Sequence, residues 1–210
     1  MTKQELKSAL EECYKTIISD VENIGDTQFF APIGEKWSVA ENIIHLTQSV
    51  KGLNLGMSLP KTFLEQQFGK IDRPTLSYEG VVERYLGVLS TGVTARGGFL
   101  PQIPENLSKE LLVSSFAKHH QTLADFLNDW SETELDEYCI KHPVLKNLTI
   151  REFYYLITPE ARDNILKYFV YLNVFSIGPK TRVPINLFWL FSNTTEFSKK
   201  ETTSLEYEGL

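Results

Sequence analysis

Four histidines, His45, His119, His120 and His142, are the side chains of this chain best suited to chemistry near neutral pH. An imidazole ligates a divalent metal, relays a proton or hydrogen-bonds a neighbour, and its position on its element decides among these. His45 lies about 120° round its helix from the centre of an apolar stripe, taking about 100° per residue. It therefore sits on a flank, where a neighbouring helix can face it. A hydrogen bond to that neighbour is the preferred reading, and metal ligation is the alternative. His119 falls on the stripe of a later helix and reads as a satisfied core histidine, again with ligation as its alternative. His120 is expected to face solvent. His142 precedes Pro143 and reads as a turn residue whose ring bonds local backbone. Cys13 and Cys139 are the only cysteines. So far apart, with no secretion signal ahead of them, they read as free thiols.

Other catalytic templates are missing. There is no Gly-x-Ser-x-Gly elbow. The run Arg96-Gly97-Gly98 lacks the strand and helix that a phosphate-binding loop needs. A net charge of −6 argues against a nucleic-acid partner, because phosphate backbones need a basic surface. No run is long enough for a membrane helix. Met1-Thr2-Lys3-Gln4-Glu5 leads into an amphipathic segment, not an apolar leader core, so a cytoplasmic protein is expected. The Asn-x-Ser/Thr matches at Asn106, Asn147 and Asn193 then carry no weight.

The elements that must position these residues are helices. Ser38 followed by Glu41 is a capping box, and behind it Val39, Ile43, Leu46, Val50, Leu53 and Met57 recur at helical spacing to about Gly56. A first helix is expected from Thr2 with Glu5, along Leu6, Leu10, Cys13, Ile17, Val21 and Ile24. Residues 25–36 read as loop, with Phe29 and Phe30 covering one end of the core. Residues 57–77 read as irregular, with at most a short helical turn at 63–68. A third long helix follows from Ser77. Ser108 caps a fourth, whose stripe is Leu112, Phe116, His119, Leu123, Phe126 and Trp130. The acidic run 131–137 reads as a short capped turn on solvated surface. Thr149 and Glu152 cap a fifth helix, and Pro159 predicts a break near Ile157-Thr158. No strand pairing is evident. The expected architecture is all-α, an up-and-down four-helix bundle over residues 1–175. Residues 176–210 read as an extension, docked in part through the apolar run 185–191 and mobile beyond it.

Two motifs in order resemble a known family. Trp37-Ser38-x-x-Glu41-x-x-x-His45-Leu46 resembles the second-helix motif of the DinB-like superfamily. His142-Pro143-x-x-x-x-Leu148-Thr149-x-Arg151-Glu152 resembles the segment leading into that family's last core helix. The likeness covers about residues 1–170 and also takes in the Pro-rich loop before Leu107-Ser108. It implies a helical bundle, often dimeric, and a nickel or zinc ion held by three histidines, one matched by His45 and two in a last-helix His-x-x-x-His pair. It also implies thiol-cofactor transfer or metal-dependent hydrolysis as the activity. The chain departs from the pattern at that pair. With Arg162 aligned between the two ligand positions, these fall on Glu160 and Asn164 or, one residue earlier, on Pro159 and Asp163. The first register is preferred, because its residues lie nearer the apolar face.

The expectation is therefore a DinB-like bundle with a degenerate metal site, no cofactor, and a binding or interaction role. The alternative is a divalent-metal hydrolase or thiol-cofactor transferase built on His45, Glu160 and Asn164. A homodimer or a small-molecule ligand is the expected partner, with no nucleic acid and no membrane.

Overall fold

A computed structural model describes residues 1–32 and 37–158 of the chain. Helix α1 (Lys3–Glu22) opens on a reciprocal cap. Thr2 Oγ1 accepts from the Glu5 amide, and Glu5 Oε2 accepts from the Thr2 amide at 2.6 Å. Residues 26–30, expected as loop, instead form a one-turn helix α2 (Asp26–Phe30) with no side-chain cap at Gly25. Five residues are too few for a periodic signal, which is why the sequence hid it. Phe29 on it is fully buried, so its expected role as a lid on the core end is met.

Helix α3 (Val39–Ser58) starts on the Ser38–Glu41 box, and α4 (Lys61–Phe68) occupies the segment where only a turn was expected. Helix α5 (Tyr78–Leu89) is capped by Ser77, and α6 (Lys109–Phe126) by Ser108. A short helix α7 (Glu132–Glu137) carries a third box, from Ser131 to Glu134.

Where strands were not expected, an antiparallel hairpin pairs β1 (Cys139–His142) with β2 (Lys146–Thr149). Each strand has four residues and neither alternates in burial, so no period of two was there to read. Lys146 turns the chain with φ of +63°, in the left-handed region. Helix α8 (Ile150–Ile157) follows on the Thr149–Glu152 box. It ends where Pro159 predicted a break. Thr158 is extended, with φ −71° and ψ 159°, the conformation a following proline imposes.

The fold is all-α with this one small sheet among the described residues: α1, α3, α6 and α8 form the bundle, and α5 packs on α8. Two core clusters fix the helix directions. Val21, Ile24, Val39, Ile43, Leu112 and Phe116 share one end. Leu6, Leu10, Val50, Leu53, Met57, Leu123 and Leu127 share the other. Helices α3 and α6 therefore run parallel, and α1 runs against both. Each such buried side chain contributes about 1.5–3 kcal/mol. Polar contacts lock the register. Tyr14 donates to Gln121 Oε1 at 2.7 Å, and Lys109 Nζ donates to the carbonyls of Glu22 and Ile24, capping the end of α1. Gly56 brings α3 against the hairpin: a Cβ there would stand 2.5 Å from Ile140 Cδ1.

Candidate functional site

His45 projects from the second turn of α3. Its ring rests on Trp37, with centroids 5.2 Å apart and planes at 51°. Its Nδ1 lies 2.8 Å from the Phe99 carbonyl oxygen. A carbonyl only accepts, so Nδ1 carries the proton and Nε2 keeps a lone pair. Burial pushes the His45 pKa below the ordinary histidine value, and the Phe99 hydrogen bond opposes this only in part. The imidazole is therefore neutral at pH 7. Phe99 closes a 3-10 turn (Gly97–Phe99) in the loop after α5, and Gly97 enters it with φ of +57°. The neighbour expected to face His45 is thus loop backbone, not another helix. One turn further along α3, Gln48 Oε1 is buried and has no hydrogen-bond partner among the described residues.

The other histidines do not converge on His45. Asn54 of α3 donates to the His119 carbonyl at 2.9 Å. Asn54 is nine residues beyond His45, about 13 Å along a helix rising 1.5 Å per residue. Burial, with Lys51 and Lys118 nearby, lowers the His119 pKa. The two α6 histidines exchange the roles expected of them. His120 is 2% exposed, donates from Nδ1 to the Phe116 carbonyl, and packs its ring 4.1 Å from that of Phe116. His119 is only half-buried. The cause is that α6 is covered by α1 as well as α3, which swings its buried face round to Phe116, His120 and Ala124. His142 is the local backbone acceptor that was expected, taking the Val144 and Leu145 amides at 3.2 and 3.1 Å on Nδ1. Burial, then the nearby Arg84, pushes its pKa down to about 4.

Glu160 and Asn164, with the alternative pair Pro159 and Asp163, lie outside the described residues, as do residues 176–210. Among the described residues no group of three His, Cys, Asp or Glu side chains is placed to hold a metal ion. A three-imidazole centre needs two more histidines beside His45, and the other three of the chain stand on α6 and in the hairpin. The donor set therefore does not fit such a centre.

A second polar cluster surrounds the start of α8, where the sequence placed a motif but no chemistry. Glu152 is fully buried, and Arg73 grips it end-on, Nη1 to Oε1 at 2.6 Å and Nη2 to Oε2 at 2.8 Å. The amides of Leu76 and Thr149 complete its shell. Burial opposes its ionisation, but the guanidinium and both amides outweigh that and hold the carboxyl below its usual range. Arg151 meets Asp136 through Nε at 2.6 Å and Nη2 at 3.1 Å, and it also reaches Glu132 and the Met1 carbonyl. The acidic run of α7 is thus engaged and not merely solvated surface. Neither Arg73 nor Asp136 was singled out from sequence. Arg73 lies in an irregular segment with no period, and its partner is 79 residues away. A cleft of about 570 Å³ opens beside this cluster, lined by Arg73, Leu76, Asp136, Arg151 and Tyr155 among others.

Cys139 is a buried thiol whose Sγ faces the Phe68 and Gly69 carbonyls as donor, and burial pushes its pKa up, which favours the thiol over the thiolate. No described helix is long and apolar enough to cross a membrane.

A family model described as the DinB superfamily matches residues 9–166. No curated protein and no solved structure matches the chain.

Proposed function

The chain belongs to the DinB superfamily, and from that premise we propose that it is a binding protein whose metal centre is degenerate. The observation that carries this reading is the separation of the histidines. His45 hydrogen-bonds a loop carbonyl beside the start of α3, whereas the backbone of His119 meets α3 only at Asn54, nine residues further along, and His142 lies in the hairpin. One imidazole with a carboxylate and an amide, His45 with Glu160 and Asn164, would hold nickel or zinc more weakly than three imidazoles. On this reading His45 pins the 97–99 turn over the start of α3.

Elemental analysis of the purified full chain tests it. The expected result is no stoichiometric nickel or zinc after dialysis, and no change on His45→Ala. Stoichiometric metal that disappears in His45→Ala would overturn it.

One observation favours a second reading. A histidine that donates from Nδ1 to a carbonyl and keeps Nε2 free has the orientation of a metal ligand, and the partnerless Gln48 oxygen lies one turn away. In that case His45, Glu160 and Asn164 would hold a divalent ion, which would activate water or a thiol for hydrolysis or transfer. The same elemental analysis decides between the two. A homodimer belongs to either reading, and sedimentation velocity tests it, with a single monomeric species counting against it.

A further inference from the structure

We propose that the cleft beside the start of α8 is a binding site for a small zwitterion, with its carboxylate on Arg73 and its ammonium against Asp136. It stands at the far end of α1 from His45, so it does not depend on the metal reading. Arg73 is held on one edge only. Its end-on edge, Nη1 and Nη2, is used on the buried Glu152, and Nη1 also donates to the Pro74 carbonyl. That leaves the side-on edge, the Nε proton and the second Nη2 proton, without a partner among the described residues. Its side chain is 33% exposed, and Arg73 lines the cleft. A guanidinium fixed on one edge presents the other as a rigid fork matching the two oxygens of a carboxylate.

A second, independent group points into the same space. Tyr155 is 5% exposed and lines the cleft. Its hydroxyl accepts from the Met1 amine at 3.4 Å, and its own proton has no acceptor among the described residues. A buried hydroxyl with an unused donor costs free energy unless a ligand oxygen takes it. Burial raises the Tyr155 pKa, so the phenol stays protonated and able to donate.

The charge balance selects the ligand class. Asp136, Glu137 and the buried Glu152 stand beside Arg73, Arg151 and the Met1 ammonium, three charges of each sign, so a dianion would meet as much repulsion as attraction. A monoanionic carboxylate suits the Arg73 edge. Asp136 Oδ2 takes only the 3.1 Å bond from Arg151, and its side chain is 40% exposed, which leaves it able to accept from an ammonium. Ile71, Pro74 and Leu76 supply an apolar wall for the rest of the molecule.

Saturation-transfer NMR on the full chain tests this with four matched probes at millimolar concentration: phenylalanine, phenethylamine, 3-phenylpropionate and phenyl phosphate. Phenylalanine is expected to saturate. Phenethylamine, lacking the carboxylate, is expected not to, and the other two are expected to bind several-fold more weakly than phenylalanine. Arg73→Lys keeps a cation on Glu152 but has no side-on edge, so phenylalanine is expected to bind about tenfold more weakly. Tyr155→Phe removes only the hydroxyl and is expected to weaken it several-fold, and it decides the matter should Arg73→Lys fail to fold. No saturation by phenylalanine, equal saturation by phenethylamine, or full affinity in both variants would overturn the proposal.

Discussion

The two ends of the bundle use polar residues in opposite ways. At the α3 end, His45 makes one hydrogen bond to loop backbone and rests on one indole, amid a core of Ile17, Val21, Ile43 and Phe116. At the α8 end, Glu152 and Arg151 each bind several partners drawn from distant parts of the chain. A single bond to a mobile type of element contributes little and leaves a ring atom available. A charge network whose members share several partners contributes much when intact and is costly when one member is lost, because the survivors stay buried and short of a partner. Both ends carry a stretch of the family motif. The likeness of sequence therefore says nothing about which stretch serves chemistry and which holds the fold.

The largest effect should fall on the network. Glu152→Ala strips Arg73 and the Leu76 amide of their acceptor and removes half of the cap on α8. A loss of about 3–5 kcal/mol is expected, toward the lower value because Arg73 is partly hydrated. Urea unfolding followed by circular dichroism measures it, and a loss below about 1 kcal/mol would make the two ends alike.

Next comes the hairpin. His142 titrates at about 4 in the fold against a reference value of 6.5. Its folded pKa is depressed, so the unfolded chain binds more protons between those values. The stability it contributes is complete above pH 6.5, falls as pH drops, and is gone below about pH 4. The drop from this group approaches about 3 kcal/mol. Carboxylates add their own loss at lower pH. The isolating measurement is His142→Asn, whose amide oxygen can still accept the Val144 and Leu145 amides but does not titrate. The slope between pH 6.5 and pH 4 should flatten in that variant; an unchanged slope would remove His142 as its source.

The same contrast explains what was legible in the sequence. Local rules succeeded: the Thr2, Ser38, Ser131 and Thr149 boxes all form, because each needs only residues three apart. The break before Pro159 is likewise a nearest-neighbour effect. What failed depended on partners. Which α6 histidine is buried is decided by α1 and α3 together, and the stripe alone centred it one residue away. The hairpin was unreadable because its short strands lie at the edge of a helical core. Of the candidate site, His45 and its flank position were legible, while the Phe99 carbonyl that orients its ring was not, since any loop residue offers the same acceptor. Arg73 and Asp136 were invisible for a related reason: ion-pair partners 79 residues away for Arg73 and 15 for Asp136 leave no local pattern.

The smallest effect is expected at His45, and it separates the two ends most cleanly. His45→Ala removes one hydrogen bond and a ring contact, a loss of about 1 kcal/mol in global stability. The half-buried ring leaves space that water and the loop can fill, so no large cavity penalty should add to it. The change should instead be local. The loop around the 97–99 turn loses the side-chain tether that holds it to α3, so its amides should exchange with deuterium faster while those of α6 and α8 stay protected. If amides throughout the bundle speed up together, His45 is part of the cooperative core, and the contrast between a lightly held end and a multiply bonded one is gone.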